Sequence, residues 1–210
     1  MTLALNVLVL CASVLGSAMA YPQARRLVRT RCIDGISASW IGVSLALNSW
    51  WLTYGIGAGV WAVVPVSTVS LTIYATIAFV YVRTTGRGGL SAIALGFMAL
   101  GLVPLPFAVV GGWELLGIAI GLCYGLQLLP AVIGVHRTRE LSGVSAATWF
   151  LAVLESVIWF VYGWVVRDAA LTLAGVVGVS MSALILVRLA ATGHRPMSAL
   201  AVSRRAALAQ

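Results

Sequence analysis

Residues 21–55 of this chain are written a second time at 129–163, at a constant offset of 108 residues and without a gap. Pro22 matches Pro130. Arg29, Thr30 and Arg31 match Arg137, Thr138 and Arg139, and Gly35, Ser37 and Ala38 match Gly143, Ser145 and Ala146. Trp51, Tyr54 and Gly55 then match Trp159, Tyr162 and Gly163. A fixed-period repeat means two copies of one structural unit, which bury a shared surface against each other.

Composition says which solvent surrounds them. The chain is 61% hydrophobic and 9% charged over 210 residues. It divides into apolar runs at 3–20, 38–57, 60–82, 90–110, 113–135, 146–166 and 169–187. Each is close to the ~20 residues that a helix rising ~1.5 Å per residue needs to cross ~30 Å of hydrocarbon. Such spans must be helical, because in lipid every backbone polar group needs a partner inside its own segment. The runs predict an all-α membrane protein of seven transmembrane helices and exclude a soluble domain with a large core. Ala18-Met19-Ala20 resembles a signal-peptidase site, but no Lys or Arg precedes it, so a retained first helix is expected. Leu10-Cys11 lacks the small residue that a lipoprotein site needs before its cysteine.

Charge sets the expected orientation. All thirteen basic residues are Arg, and seven spans put Arg25, Arg26, Arg29, Arg31, Arg83, Arg87, Arg137, Arg139, Arg188, Arg195, Arg204 and Arg205 on one side and Arg167 on the other. By the positive-inside rule the crowded side is cytoplasmic, the amino terminus lies outside and the carboxy terminus inside, in a plasma or inner cell membrane. A net charge of +8 is then explained by anionic lipid headgroups, and no nucleic-acid partner is expected.

The absence of Lys excludes a retinal photoreceptor, which binds its cofactor through a lysine Schiff base. Cys11, Cys32 and Cys123 have neither disulfide nor zinc spacing. No His-Glu-x-x-His, Gly-x-Ser-x-Gly or phosphate-binding glycine loop is present, and only His136 and His194 offer imidazoles. No enzyme, cofactor or metal is expected. The expected organisation is two parallel three-helix repeats, residues 1–85 and 112–190, joined by an inverter helix in 86–111 and followed by a cytoplasmic tail, 191–210. Parallel repeats are a transporter architecture that holds solute near the midplane between them.

Tyr21-Pro22-Gln23 before a basic stretch and Gly35-Ile36-Ser37 resembles the motif that names the PQ-loop superfamily. Trp51-x-x-Tyr54-Gly55 and Trp159-x-x-Tyr162-Gly163 resemble the second-helix signature of its SWEET and SemiSWEET sugar transporters, and the three-one-three layout resembles that of SWEETs. The resemblance implies alternating access by rocking about the proline, with Pro22, Gln23 and Pro130 as hinge residues at helix ends. In the second copy Ala131 follows Pro130, so only the first carries the full dipeptide. Proline removes a backbone hydrogen bond and weakens a helix locally; a packing kink is the alternative. Asp34 and Glu140 could latch the arginine-rich side.

Depth locates a candidate binding site. Counted from Ser37 and Ser145 at ~1.5 Å per residue, Asn48 lies about 16 Å and Glu155 about 15 Å into the membrane. Ser70 reaches the same depth, and Ser180 lies half a turn from its repeat mate Gly178. Trp51 shares a helix face with Asn48, and Trp159 with Glu155. Polar groups beside aromatic plates suit a sugar's hydroxyls and apolar ring face. SWEETs typically place an asparagine on the third helix of each repeat; here 60–82 and 169–187 contain none, and Ser67, Ser70 and Ser180 stand there instead. Glu155, an acid at bilayer depth, reads as part of an ion, proton or solute pathway, or as a structural carboxyl. Trp61, Trp113, Trp164, Trp40 and Trp149 read as interfacial belts.

The expectation is a transporter for a small polar solute, a mono- or disaccharide by resemblance, working by facilitated diffusion without ATP. The alternatives are a proton-coupled amino-acid or organic-solute transporter with Glu155 as proton site, and a non-transporting receptor of the same fold. Gly117, Gly121 and Gly125 form a small-residue stripe for close approach within the protein or between protomers of a homo-oligomer.

Overall fold

The structure, a computed structural model, describes residues 3–33, 36–137, 141 and 144–192; the side chains of Pro22 and Gln23 lie outside the description. Seven helices are formed among the described residues: α1 (Leu3–Thr30), α2 (Ala38–Gly57), α3 (Val63–Thr85), α4 (Arg87–Gly101), α5 (Leu105–Arg137), α6 (Ala146–Val166) and α7 (Ala169–Ala191). Five of them, α1, α3, α5, α6 and α7, are long and apolar enough to cross a membrane. Although α2 has 20 residues, Ser39, Ser44, Asn48, Ser49 and Thr53 dilute its hydropathy. The protein is a multi-pass membrane protein.

The two repeats are built alike. The Ser of each Gly-x-Ser motif is a helix N-cap: Ser37 Oγ accepts from the Trp40 N–H at 3.3 Å, and Ser145 Oγ from the Thr148 N–H at 3.3 Å. Such a cap satisfies one of the orphan donors at a helix start. Within the first repeat α3 packs against both α1 and α2, and within the second α7 packs against both α5 and α6. The order across each repeat is therefore first, third, second helix. Between repeats, α1 meets α6 and α2 meets α5, as a two-fold axis would require.

Two departures from the expected boundaries have local causes. Helix α1 does not end at Tyr21-Pro22-Gln23 but runs 28 residues, to Thr30, carrying its arginines into the headgroup layer; at ~1.5 Å per residue this spans the bilayer with its polar zones. The run 90–110 is not one span. Helix α4 has only 15 residues, because Pro104 and Pro106 lack the N–H groups that would continue it. The chain turns at 102–104, resumes as α5 and breaks again at Gly111 (φ −133°, ψ 19°) and Gly112 (φ 57°, ψ −146°). Helix α4 packs mainly on the first repeat, against α2 and α3. A Cβ on Gly42 would meet the backbone at Ile93 and Phe97, and one on Gly96 the backbone at Ser39, so this crossing requires glycine on both helices. The Trp50 indole donates to the Gly101 carbonyl at 2.9 Å.

The stripe on α5 serves contacts within the chain: Gly117 faces Tyr54 and Ala170, Gly121 the backbone of Ala170, and Gly125 Val177. Four buried clusters hold the bundle. One joins Ala24, Leu27, Ile41, Ile77, Val80 and Ile93. Its counterpart in the second repeat joins Val132, Val135, Leu141, Ile185 and Leu189. These two lie at the arginine-rich end, one inside each repeat. The other two cross between repeats: Ala46, Leu47, Tyr54, Leu116, Ile120 and Ala170 belong to one, and Ala62, Val63, Tyr162 and Leu171 form the other. Asp34 and Glu140, the suggested latch acids, lie outside the described residues.

Candidate functional site

Between the repeats lies a cavity of about 350 Å³ lined by every helix except α4. It runs from Trp40, Thr148 and Trp149, in the first turns of α2 and α6, past the bilayer middle to Trp51 and Trp159. Beyond these the cross-repeat cluster of Ala62, Val63, Tyr162 and Leu171 fills the space, with Trp51 and Trp159 packed on it. The indoles stand edge-on to the tyrosines that follow them, Trp51 to Tyr54 at 6.0 Å and Trp159 to Tyr162 at 6.1 Å. At this closed end the Tyr54 hydroxyl donates to Asp168 Oδ2 at 2.8 Å. Asp168 Oδ1 meanwhile caps α7 by accepting from the Leu171 N–H at 2.8 Å. One carboxylate thus fixes a helix start and ties the first repeat to the second.

Asn48, Trp51, Ser70, Glu155 and Trp159 all line the cavity, so Asn48 and Glu155 face a common space. The Asn48 amide donates to the Ser44 carbonyl one turn back at 2.8 Å, which orients the side chain and leaves its carbonyl oxygen as an acceptor. The Trp159 indole N–H donates to Glu155 Oε1 at 3.4 Å. Ser180 is different. It is exposed on α7 and its hydroxyl donates to the Val176 carbonyl at 2.8 Å. A helix turns by about 200° over two residues, so while Gly178 is buried against Ser156 and Tyr124, Ser180 points to the opposite face. Pro130 lies within α5, on an exposed position before the helix ends at Arg137. Pro22 and Gln23 fall within α1, and their side chains are outside the described residues.

Several lining residues were not singled out from sequence. Tyr74, Tyr124, Gln127, Ser156 and Gly16 all face the cavity, and so do Trp40 and Trp149, which interfacial position alone had assigned to belts. Trp40 meets Tyr74 edge-on at 5.4 Å. The buried Gln127 amide donates to Ser44 Oγ at 2.8 Å, a tie between α5 and α2. Ser156 was recoverable, because the repeat offset makes it the mate of Asn48. The same offset pairs Gly16 with Tyr124 and Leu47 with Glu155, so the symmetric backbone carries an asymmetric lining. Gly16 adjoins Glu155: a Cβ there would lie 2.5 Å from Oε1.

Residues 115–190, nearly the whole second repeat, match the family model described as "Sugar efflux transporter for intercellular exchange". A sequence comparison with curated proteins finds no match. Among solved structures, a eukaryotic SWEET transporter superposes with a TM-score of 0.67 at 15% identity, covering 91% of this chain and 100% of that one. The chain therefore has the fold of that transporter, and its second repeat is similar in sequence to the sugar efflux family model.

Proposed function

We propose that the protein is a membrane transporter that moves a small polar solute, a mono- or disaccharide, by alternating access and facilitated diffusion. The observation that carries this reading is the central cavity. It sits at the junction of two equivalent repeats, and two indoles at its closed end stand beside an amide, hydroxyls and a carboxyl. A volume of about 350 Å³ is at the small end of the ~300–1,000 Å³ usual for small-molecule sites, which favours one sugar ring over two. Ring stacking on Trp51 or Trp159 and hydrogen bonding to Asn48, Ser70, Ser156 and Glu155 would hold it. The family description and the shared fold support the same solute class. We place the arginine-rich end in the cytoplasm on the positive-inside rule, and the hinge at Pro22, Gln23 and Pro130, where a missing backbone hydrogen bond lowers the cost of bending.

The test is uptake of radiolabelled glucose and sucrose into proteoliposomes of the purified chain, with and without an inward proton gradient. Saturable, gradient-independent uptake, abolished by Trp51→Ala combined with Trp159→Ala, is the expected result. Acceleration by the gradient would move the reading to coupled transport with Glu155 as the proton site. Binding without flux would make the protein a receptor of this fold.

A further inference from the structure

Glu155 brings a carboxyl group to the cavity and no described residue brings a cation. From α1 it is faced by Gly16, Met19 and Ala20, from α2 by Asn48 and Trp51, and from α3 by Ser70 and Tyr74. Tyr124 and Gln127 face the cavity from α5, Ser156 and Trp159 from α6, and Ala174 and Gly175 from α7. The described arginines are all elsewhere. Among the described residues, the hydrogen bond that reaches the carboxyl is from the Trp159 indole at 3.4 Å, well beyond the ~2.9 Å of a strong N–H···O bond. An acid at membrane depth with no counter-charge among the described residues is expensive.

The surroundings show that the acid has a place made for it. Its repeat mate is Leu47, so the fold does not need a carboxyl there. The facing position on α1 is Gly16, whose own mate is Tyr124. Any side chain at Gly16 would collide with Glu155 Oε1. A neutral sugar would need only the acceptors and donors that Asn48, Ser70 and Ser156 already offer. An acid set among them, in a cavity that the Trp51 and Trp159 indoles also line, is complementary to a positive charge that the solute must carry.

We infer that the solute is a cationic amine bearing hydroxyl groups, of the amino-sugar class, with its ammonium on Glu155 and its hydroxyls on Asn48 and the serines. The inference rests on the transport reading above for the location of the site, and sharpens its substrate class. A charge-assisted hydrogen bond of this kind is worth about 10- to 100-fold in selectivity over the neutral analogue.

The experiment compares glucosamine, glucose and N-acetylglucosamine at neutral pH without a proton gradient. Flux is read in proteoliposomes of the full chain, and binding by intrinsic tryptophan fluorescence in detergent, since Trp51 and Trp159 flank the site. Glucosamine should exceed both neutral sugars by that factor, and Glu155→Gln should erase the difference. Equal handling of the three by the wild type, or a preference that survives Glu155→Gln, overturns the inference and leaves transport standing. Selective glucosamine binding without flux of any sugar overturns transport and keeps the inference. Neither flux nor binding of any of the three sugars overturns both, and flux of glucose without glucosamine overturns the inference alone. The wild-type comparison is decisive alone if Glu155→Gln does not fold.

Discussion

Gly16 is the residue on which the position of Glu155 depends. A methyl group there would occupy space 2.5 Å from Oε1, and a short non-bonded approach of that kind is relieved by rotating the carboxyl away. Gly16→Ala should therefore weaken solute binding by about 1.5–3 kcal/mol, the usual worth of a hydrogen bond to a charged group, with little change in thermal midpoint. Fluorescence titration checks it, and an unchanged affinity would mean that Glu155 does not hold the solute. Ser180→Ala should leave binding unaltered, because that hydroxyl bonds its own helix on the exposed face. Counting residues along a helix put Asn48, Trp51, Ser70, Glu155 and Trp159 at about one level, and all five line the cavity, since rise per residue is fixed by geometry. It gave rotation poorly. Which side of α7 turns inward depends on how α7 packs against α5 and α6, and Ser180 lies on its exposed face. Tyr124 and Gln127 stayed hidden for the same reason, having no charge or repeated motif to mark them.

At the scale of elements, close helix crossings replace the hydrophobic effect, which does little between helices already in lipid. The α2–α4 crossing is the tightest example, with glycine on both sides. Gly96→Leu should lower stability by about 1–3 kcal/mol or more through forced separation of the backbones, whereas Gly88→Ala, where a Cβ would meet nothing within 4 Å, should stay within ~0.5 kcal/mol. Thermal unfolding in detergent compares the two, and equal effects would deny the crossing. The tie between Tyr54 and Asp168 belongs to this scale as well. In a double-mutant cycle of Tyr54→Phe and Asp168→Ala the coupling should be about 1.5–3 kcal/mol, as for other hydrogen bonds to charged groups. The single Asp168→Ala change should cost ~1 kcal/mol more than Tyr54→Phe, since it also removes the cap of α7; zero coupling would remove the tie. Apolar runs and the repeat were enough to read seven helices and their pairing into two units. The ends of α1, α4 and α5 were not readable from apolar length, because arginines continue a helix past the hydrocarbon while Pro104, Pro106 and the Gly111–Gly112 break interrupt one within it.

For the whole molecule, the distribution of buried clusters decides which way the cavity faces. At the arginine-rich end each repeat packs on itself, through Leu27, Ile41 and Ile77 in one and Val135, Ile185 and Leu189 in the other; among the described residues no buried cluster spans the gap between them. At the opposite end the repeats share clusters, through Tyr54 with Leu116 and Ala170 and Ala62 with Tyr162 and Leu171. Two rigid units joined at one end and separate at the other form a cavity open toward the arginines. The reverse arrangement of alternating access would part the shared clusters, break the Tyr54–Asp168 tie and bring the two separate cores together. The Tyr54–Asp168 hydrogen bond thus favours the arrangement seen here over the reverse arrangement, in which it would be parted. In a chain with Cys11, Cys32 and Cys123 replaced by Ser, a thiol at Thr148→Cys, exposed near the open mouth, should react with a membrane-impermeant maleimide supplied at the arginine-rich side. A thiol at Ala62→Cys, 8% exposed within the closed end, should resist reagent from the opposite side. Adding Tyr54→Phe should speed the second reaction and slow the first, as the population moves toward the reverse arrangement. Rates that ignore Tyr54→Phe would show that the two ends open independently, and fast labelling at Ala62→Cys from the start would show that the shared clusters do not close that end.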